Sequence, residues 1–227
     1  MTPELTILTL TLNESGALGE FLSQLGPAIK PIEPNYEVLI VDGGSTDGTV
    51  EIAEKAGVRV VRQSKPGYGN AYREGLALSR GKYILALDAD SSHPKNLFGT
   101  FWAQREKYSV VMGSRYLPGA GDTRPWGRRL LSQILNAVYR TVLVCPLTDI
   151  SGGFRLYKTA DVQAVESEGP YYDVVAEIIV LLWGSGKKVL EIPYLYVPRE
   201  QGESKARIFK FGLAYLETLH RLWRRFK

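Results

Sequence analysis

The chain has 227 residues, of which 44% are hydrophobic and 23% are charged, a balance typical of one globular domain with a full core. Its formal net charge is +4, but seven Lys or Arg residues and one Glu lie between residues 205 and 227, so the rest of the chain is close to neutral. A basic end on a nearly neutral body indicates an anionic surface as partner. Because the net positive charge is confined to this end and no common recognition motif is present, nucleic acid is not the expected partner.

Neither an oxidising compartment nor a membrane span is indicated. Cys145 is the only cysteine, so no intrachain disulfide can form. The first residues lack the basic start of a secretory signal peptide, and the apolar stretches at 130–147 and 174–183 are too short or too polar to span a bilayer. We therefore expect a cytoplasmic protein without a transmembrane segment.

Apolar, β-rich runs alternate with segments of helical character in the first half of the chain. The predicted strands span residues 5–12, 36–41, 58–61, 83–87 and 110–112. The predicted helices between them span residues 16–25, 46–55, 69–78 and 94–107. Apolar strands separated by helices indicate an α/β, Rossmann-like fold with a mostly parallel sheet covered on both faces. In such folds ligands bind at the carboxyl ends of the strands.

The second half has a less regular pattern. A segment rich in Gly, Pro and Arg at 118–129 leads into an apolar helical stretch that reaches residue 144, and a glycine-rich turn follows at Gly152 and Gly153. A further helix is predicted over 172–183, a strand over 188–197 and a long final helix over 206–226. No internal boundary is convincing, so we predict one domain over 1–205 and a basic amphipathic helix over 206–227.

Polar and acidic residues follow three of the predicted strands. Asn13-Glu14 follows the first, a turn that begins at Asp42 follows the second, and Asp88-Ala89-Asp90 follows the fourth. Two carboxylates one residue apart at the end of a buried strand offer hard oxygen ligands for Mg²⁺ or Mn²⁺, and such an ion usually takes a substrate diphosphate in its remaining positions. An isolated pair of this kind could also merely end the strand and cap the next helix.

Several segments, in the same order, resemble those of the polyprenol and dolichol phosphate mannosyltransferases, which are inverting glycosyltransferases of the A-type (GT-A) fold. The segments are residues 41–49 (VDGGSTDGT), 88–94 (DADSSHP), 113–116 (GSRY), 148–155 (TDISGGFR) and 202–205 (GESK). The first two alone indicate an A-type glycosyltransferase, and the combination is similar to the lipid-phosphate branch. The resemblance implies transfer of mannose from GDP-mannose to dolichyl or polyprenyl phosphate, with inversion and with Mg²⁺ or Mn²⁺.

The resemblance also implies roles for individual positions, with a nucleotide-sugar part at about 1–115 and an acceptor part at about 116–205. The residues implied to contact the nucleotide sugar are Thr11, Asn13, Glu14, Asp42, Gly44, Ser45, Asp88, Ala89 and Asp90. Those implied for the metal are Asp88, Asp90 and Ser92. Those implied for the acceptor phosphate are Arg115, Arg128 and Ser132. The residues implied to be catalytic are Asp88, Asp90, Arg115, Arg199 and Lys205. Arginine suits the binding of phosphate groups because its planar guanidinium binds two phosphate oxygens at once.

The segment 10–14 (LTLNE) departs from the family's pattern, since it lacks a proline and a tyrosine that are usual there. The nucleobase and the sugar of the donor therefore stay open. The alternatives are a polyprenol phosphate glucosyltransferase that uses UDP-glucose, a glycosyltransferase with a soluble acceptor, and a non-catalytic module that binds nucleotide sugars.

Two further residues near these motifs have more than one interpretation. A phosphate acceptor is already an anion at neutral pH and needs no general base. Asp149 would be the base for an alcohol acceptor, and for a phosphate acceptor we expect it to shape its loop. His93 is a secondary candidate for the metal site, because its position before Pro94 is explained by the start of a helix.

The C-terminal segment has the pattern of an amphipathic helix. Its apolar residues at helical spacing are Ile208, Phe209, Gly212, Tyr215, Leu216, Leu219, Leu222, Trp223 and Phe226. This stripe predicts a helix that either lies on a membrane surface or packs on the core. A second apolar stripe at 130–142 begins beside Arg128 and Arg129, and the resemblance implies that it lies at the membrane interface. We expect a protein that is peripheral on the cytosolic membrane face, with a small membrane anchor subunit as a candidate partner.

Overall fold

The computed structural model of the chain describes residues 2–197 and 208–227. Its first half alternates strands and helices as predicted. The strands are β1 (Leu5–Thr11), β2 (Tyr36–Asp42), β3 (Arg59–Arg62), β4 (Tyr83–Asp88) and β5 (Val110–Ser114). The helices are α1 (Ser15–Ile29), α2 (Thr49–Lys55), α3 (Tyr68–Leu78) and α4 (Phe98–Gln104). Helix α2 begins later than predicted because Gly48, at φ 93°, still belongs to the preceding turn.

The second half adds shorter elements. The strands are β6 (Gly121–Asp122), β7 (Arg155–Lys158), β8 (Val189–Pro193) and β9 (Leu195–Tyr196). The helices are α5 (Trp126–Leu143), α6 (Thr159–Gln163), α7 (Asp173–Gly184) and α8 (Ile208–Phe226). The one strand predicted over 188–197 is therefore two strands. Pro193, which has no N–H to donate to a ladder, ends β8, and β9 then pairs with β6 outside the main sheet.

The main sheet has the strand order β3-β2-β1-β4-β7-β5-β8. Neighbouring strands in this sheet are parallel except at β7, which lies antiparallel between β4 and β5. The sequence did not predict β7, because Arg155 places a charged residue at a completely buried strand position. Its guanidinium donates to the carbonyl oxygens of Val175 and Ile150 and to the Tyr157 hydroxyl, which compensates for the burial.

Helices cover both faces of this sheet. One face packs against α1, α2 and α4, and the other packs against α3, α5, α7 and α8. The expected mostly parallel α/β architecture is confirmed. Among the described helices, none combines the length and the apolar character that crossing a bilayer requires.

Helix α8 divides its apolar residues between the core and the surface. Tyr215, Leu219 and Leu222 are buried, and the Thr218 hydroxyl donates to Asp173 Oδ2 on α7 at 2.7 Å. Among residues 212–227, the apolar side chains exposed on the other faces of α8 are Leu213, Leu216, Trp223 and Phe226. Packing on the core, one of the two expectations for this helix, is thus confirmed for its inner stripe, and its placement on a membrane stays a prediction.

Candidate active site

The polar ends of β1, β2 and β4 meet at the carboxyl edge of the sheet. The register pairs Thr11 with Asp42 across β1 and β2, and Leu10 with Asp88 across β1 and β4. A cavity of about 990 Å³ opens at this edge. The expectation that these strand ends converge is confirmed, as parallel strands require.

Asp42 organises the turn after β2. Its carboxylate is completely buried and accepts hydrogen bonds from the Thr11 hydroxyl at 2.9 Å, from the Gly44 N–H at 2.9 Å and from the N–H and hydroxyl of Ser45. Burial would raise the pKa of Asp42, but these donors outweigh it and hold the pKa below its usual value. The structure thus gives Asp42, Gly44 and Ser45 a role in shaping the turn, and their contact with a nucleotide stays a prediction.

The loop after β1 is tied to the same turn. Asn13 adopts φ 53°, its N–H donates to the Ser45 hydroxyl at 2.8 Å, and its side-chain oxygen accepts from the Thr46 N–H at 2.9 Å. The Glu14 N–H donates to the Thr49 hydroxyl at 2.9 Å. Asn13 therefore links two loops, whereas Glu14 and Thr11 line the cavity.

Asp88, Ala89 and Asp90 line the cavity where β4 ends. The Asp88 N–H donates to His93 Nδ1 at 3.3 Å, and the Ser92 N–H donates to Asp90 Oδ1 at 3.0 Å. The His93 ring is buried and stacks on Phe154 with centroids 4.8 Å apart. Burial lowers the pKa of His93, so the imidazole is neutral and orients the loop as an acceptor.

The oxygen atoms of this loop fit a hard divalent cation. Asp88 and Asp90 present two carboxylates. Ser92 Oγ is buried and has no well-aligned hydrogen-bond partner among the described residues, and its side chain lies close to that of Tyr196. Within the described ranges, no group of three or more Asp, Glu, His or Cys side chains could hold an ion alone. An ion here would need further oxygen ligands from a substrate or water, which is the usual situation for Mg²⁺.

Arg115 follows β5 and is held by Asp149. Nε and Nη2 of Arg115 each donate to one carboxylate oxygen at 2.7 Å, and Nη2 also donates to the Ser151 hydroxyl at 2.9 Å. Burial alone would raise the pKa of Asp149, but the Arg115 guanidinium outweighs it and lowers the pKa. Asp149 is therefore an ionised, fully engaged carboxylate, as expected of a residue that shapes its loop, and it is poorly suited to act as a base.

Arg128 and Ser132 lie on the first turns of α5 and line the same cavity. The hydroxyl oxygens of Ser132 and Ser151 are 3.2 Å apart, within hydrogen-bond distance. The Arg128 side chain is exposed, and its guanidinium makes no hydrogen bond or ion pair with the described part of the chain. Of the two arginines predicted to bind the acceptor phosphate, Arg128 is thus the uncompensated cation, whereas the charge of Arg115 is balanced by Asp149.

Two cavity residues were missed by sequence reasoning. Arg124 forms a bidentate pair with Asp122, and its guanidinium carbon lies 5.4 Å from the centroid of the Tyr196 ring. Burial raises the pKa of Tyr196, the nearby carboxylates of Asp88 and Asp90 add to this effect, and the neighbouring Ser92 side chain opposes it. The only sequence signal for Tyr196 is its alternation with Tyr194 along a predicted strand, and that signal predicts a shared face but no function.

The other half of the cavity is apolar and aromatic. Its lining residues from α3, the loop before α7, α5 and α8 include Tyr68, Tyr72, Tyr172, Leu131, Ile134, Leu135, Val138, Tyr215 and Leu216. Several apolar side chains of α5 that continue this surface are exposed, and these are Trp126, Leu130, Leu131, Ile134, Val138 and Val142. One continuous cavity therefore joins the polar sheet edge to an apolar groove. The predicted residues Arg199 and Lys205, with the segment 202–205, lie outside the described residues.

The sequence model described as Glycosyl transferase family 2 matches residues 6–165. The chain is 36% identical over 217 residues to an undecaprenyl-phosphate mannosyltransferase of Micrococcus luteus, covering 88% of this chain and 86% of that protein. It is 36% identical over 193 residues to a polyprenol monophosphomannose synthase of Mycolicibacterium smegmatis, covering 76% and 71%. It is 29% identical to a dolichol-phosphate mannosyltransferase of Pyrococcus furiosus, covering 96% of this chain but only 63% of that longer protein.

Solved structures share the fold. A glucosyl-3-phosphoglycerate synthase of Mycobacterium tuberculosis, crystallised with Mn²⁺, UDP and glucosyl-3-phosphoglycerate, aligns with a TM-score of 0.73 over 98% of this chain and 80% of its own. The sequence identity is 19%, so this likeness concerns the fold alone. The predicted Rossmann-like GT-A fold is confirmed.

Proposed function

Since this chain belongs to glycosyl transferase family 2, we propose that it transfers mannose from GDP-mannose to a polyprenyl or dolichyl phosphate, with inversion and with Mg²⁺ or Mn²⁺. The observation that carries the proposal is the single cavity that joins Asp88 and Asp90 to the apolar groove beside Arg128. The names of the relatives at 36% identity support both the sugar and the lipid phosphate.

The donor lies at the polar edge in this proposal. The turn organised by Asp42 and the side chains of Thr11 and Glu14 bind the nucleoside. Asp88, Asp90 and Ser92 would hold the divalent ion, which when bound neutralises charge that develops on the departing diphosphate. His93 orients the loop by accepting the Asp88 N–H.

The acceptor phosphate binds between Arg128 and Ser132 at the start of α5. One of its oxygens attacks the anomeric carbon from the face opposite the leaving group, so a C–O bond forms while the bond to the donor diphosphate breaks. The nucleoside diphosphate leaves with the bonding electrons, and the configuration inverts. The attacking phosphate is already an anion, so it needs no general base. This agrees with the state of Asp149, which is held by Arg115 and has a lowered pKa.

The exposed faces of α5 and α8 are the surface that we assign to the membrane. Their apolar residues, such as Ile134 and Leu216, adjoin the apolar half of the cavity. Basic residues of these helices, such as Arg129 and Arg225, are exposed and suit anionic headgroups. The chain then lies on the cytosolic membrane face, and a small membrane anchor subunit would contact the same surface.

The test is a transfer assay with purified protein, polyprenyl phosphate and Mg²⁺ or Mn²⁺, in which radiolabelled GDP-mannose and UDP-glucose are supplied in parallel. We expect label in the organic phase from GDP-mannose and loss of that label with a chelator. Label from UDP-glucose alone would identify UDP-glucose, rather than GDP-mannose, as the donor. Nucleotide binding without any lipid product would contradict the lipid acceptor and favour a soluble acceptor or a non-catalytic module.

A further inference from the structure

The β6–β9 ribbon holds Tyr196 firmly at the polar end of the cavity. The ladder places Asp122 opposite Tyr196, and both the N–H and the hydroxyl of Thr123 donate to the Tyr196 carbonyl oxygen at 3.1 Å. The backbone of Tyr196 is therefore held by several contacts to the segment before α5. A side chain carried by such a ribbon has a well-defined position.

The Tyr196 ring lies near two guanidinium groups that are themselves fixed. The ring centroid is 5.4 Å from the Arg124 carbon and 5.9 Å from the Arg115 carbon. Asp122 holds the first guanidinium and Asp149 holds the second, in both cases through two hydrogen bonds or more. Since cations attract the face of an aromatic ring, this arrangement positions the tyrosine ring as well as its backbone.

The same side chain belongs to the donor end of the cavity. Tyr196 is only partly buried and lines the cavity, and its side chain lies close enough to Asp88, Asp90 and Ser92 for these three groups to shift its pKa. A diphosphate bound there meets carboxylates on the β4 side, so it needs hydrogen-bond donors on another side. A phenol keeps its proton at neutral pH and is a neutral donor that adds no charge to a site that already contains two nearby guanidiniums.

We propose that Tyr196 is a donor-binding residue, and that its hydroxyl donates a hydrogen bond to the diphosphate of the nucleotide sugar. This role rests on the proposed glycosyltransferase function, but it concerns only the donor half of the reaction. It explains why a partly exposed tyrosine is fixed so thoroughly beside the candidate metal loop. A tyrosine with only a packing role would affect stability and would leave nucleotide affinity unchanged.

The test compares Tyr196→Phe, which removes only the hydroxyl, with Tyr83→Phe, which removes the hydroxyl of a buried tyrosine at the opposite end of β4. Calorimetry with GDP and Mn²⁺ measures the affinity for the diphosphate without any transfer. We expect Tyr196→Phe to weaken GDP binding about tenfold and to raise the donor KM by a similar factor. The lipid KM, the melting temperature and all properties of the Tyr83→Phe variant are expected to match the wild type.

Unchanged GDP affinity in the Tyr196→Phe variant would overturn the proposal. A loss seen for GDP-mannose but not for GDP would also overturn it, because the hydroxyl would then contact the sugar. The failure of the proposed function is separable from these outcomes: a wild-type protein that binds UDP or GDP with Mn²⁺ but forms no lipid product contradicts only the lipid acceptor. In that case the same comparison on the nucleotide that binds still decides the role of Tyr196. A wild-type protein that binds neither nucleotide would overturn both proposals.

Discussion

Arg115 and Asp149 form a bidentate ion pair in which the two side chains are only 6% and 0% exposed. The pair joins the end of β5 to the loop that precedes β7, across 34 residues of sequence. Both charges are removed from water, so each depends on the other for compensation. The pair therefore stabilises the loop beside the cavity, and its loss is expected to be costly.

Asp149→Asn should lower the free energy of unfolding by roughly 3–5 kcal/mol, because it leaves the buried Arg115 charge uncompensated. Urea titration at neutral pH measures this change. The control is Asp161→Asn, which breaks a more exposed pair with Lys187 and should cost less than about 1 kcal/mol. Equal effects of the two substitutions would contradict the structural importance of the buried pair.

Asp90→Ala should abolish turnover and leave the fold intact, since this carboxylate lines the cavity and only its side-chain contact to the Ser92 N–H is lost. Transfer assays across a range of Mg²⁺ or Mn²⁺ concentrations, with circular dichroism for the fold, measure both effects. Glu51→Ala, at an exposed position of α2, serves as the control and should behave like the wild type. An Asp90→Ala variant that stays active without metal would rule out the metal assignment.

Arg128→Ala should raise the KM for the lipid phosphate about tenfold or more and change the donor KM little, because Arg128 is the exposed cation at the start of the apolar groove. The matched variant is Arg140→Ala, which removes an exposed arginine from the last turn of the same helix. Steady-state kinetics in detergent micelles with both substrates varied provide the measurement. If the donor KM alone rises, Arg128 does not bind the acceptor.

Stability should fall when the pH drops below about 4. The pKa values of Asp42, Asp122 and Asp149 lie below the usual value of 3.8 in the folded protein. A carboxylate with a lowered folded-state pKa stabilises the fold above its unfolded-state pKa, and this contribution disappears as the pH falls through the folded-state value.

Urea titrations between pH 7 and pH 3 measure this loss. Asp42→Asn should reduce the difference in unfolding free energy between the two ends of that range, because it removes one of the groups that take up a proton on unfolding. An unchanged difference would show that Asp42 does not contribute to the acid sensitivity.

The sequence predicted the fold class and the edge where the site lies because both depend on local patterns. Apolar strands, helical segments and polar strand ends such as Asp88-Ala89-Asp90 are visible in short windows. The same windows do not show which partners a side chain finds across the fold. The contacts of Arg115 with Asp149 and of Asp42 with Thr11 join residues more than thirty positions apart. The structure therefore adds contacts within the protein for these groups, and the substrate roles that the resemblance implies for some of them stay predictions.

The missed elements have equally physical causes. Strand β7 was not predicted from the sequence because the buried charge of Arg155 interrupts the apolar pattern expected of a central strand. Helix α8 left two interpretations open because an apolar stripe on a helix can pack on the core or lie on a membrane surface. Only packing on α7 shows that Leu219 is buried while Leu216 is exposed.

The reversed direction of β7 has a consequence for the polar end of the cavity. Since β7 runs against its neighbours, the chain arrives at the carboxyl edge of the sheet just before Arg155, whereas the parallel strands leave the sheet there. Two glycines just before β7 lie close to two acidic side chains. A Cβ on Gly153 would lie 3.9 Å from Asp88 Oδ1, and one on Gly152 would lie 3.3 Å from the Asp149 carboxylate. Residues 144–151 connect α5 to these glycines, so a short segment of chain joins the helix that lines the apolar groove to the loop next to Asp88.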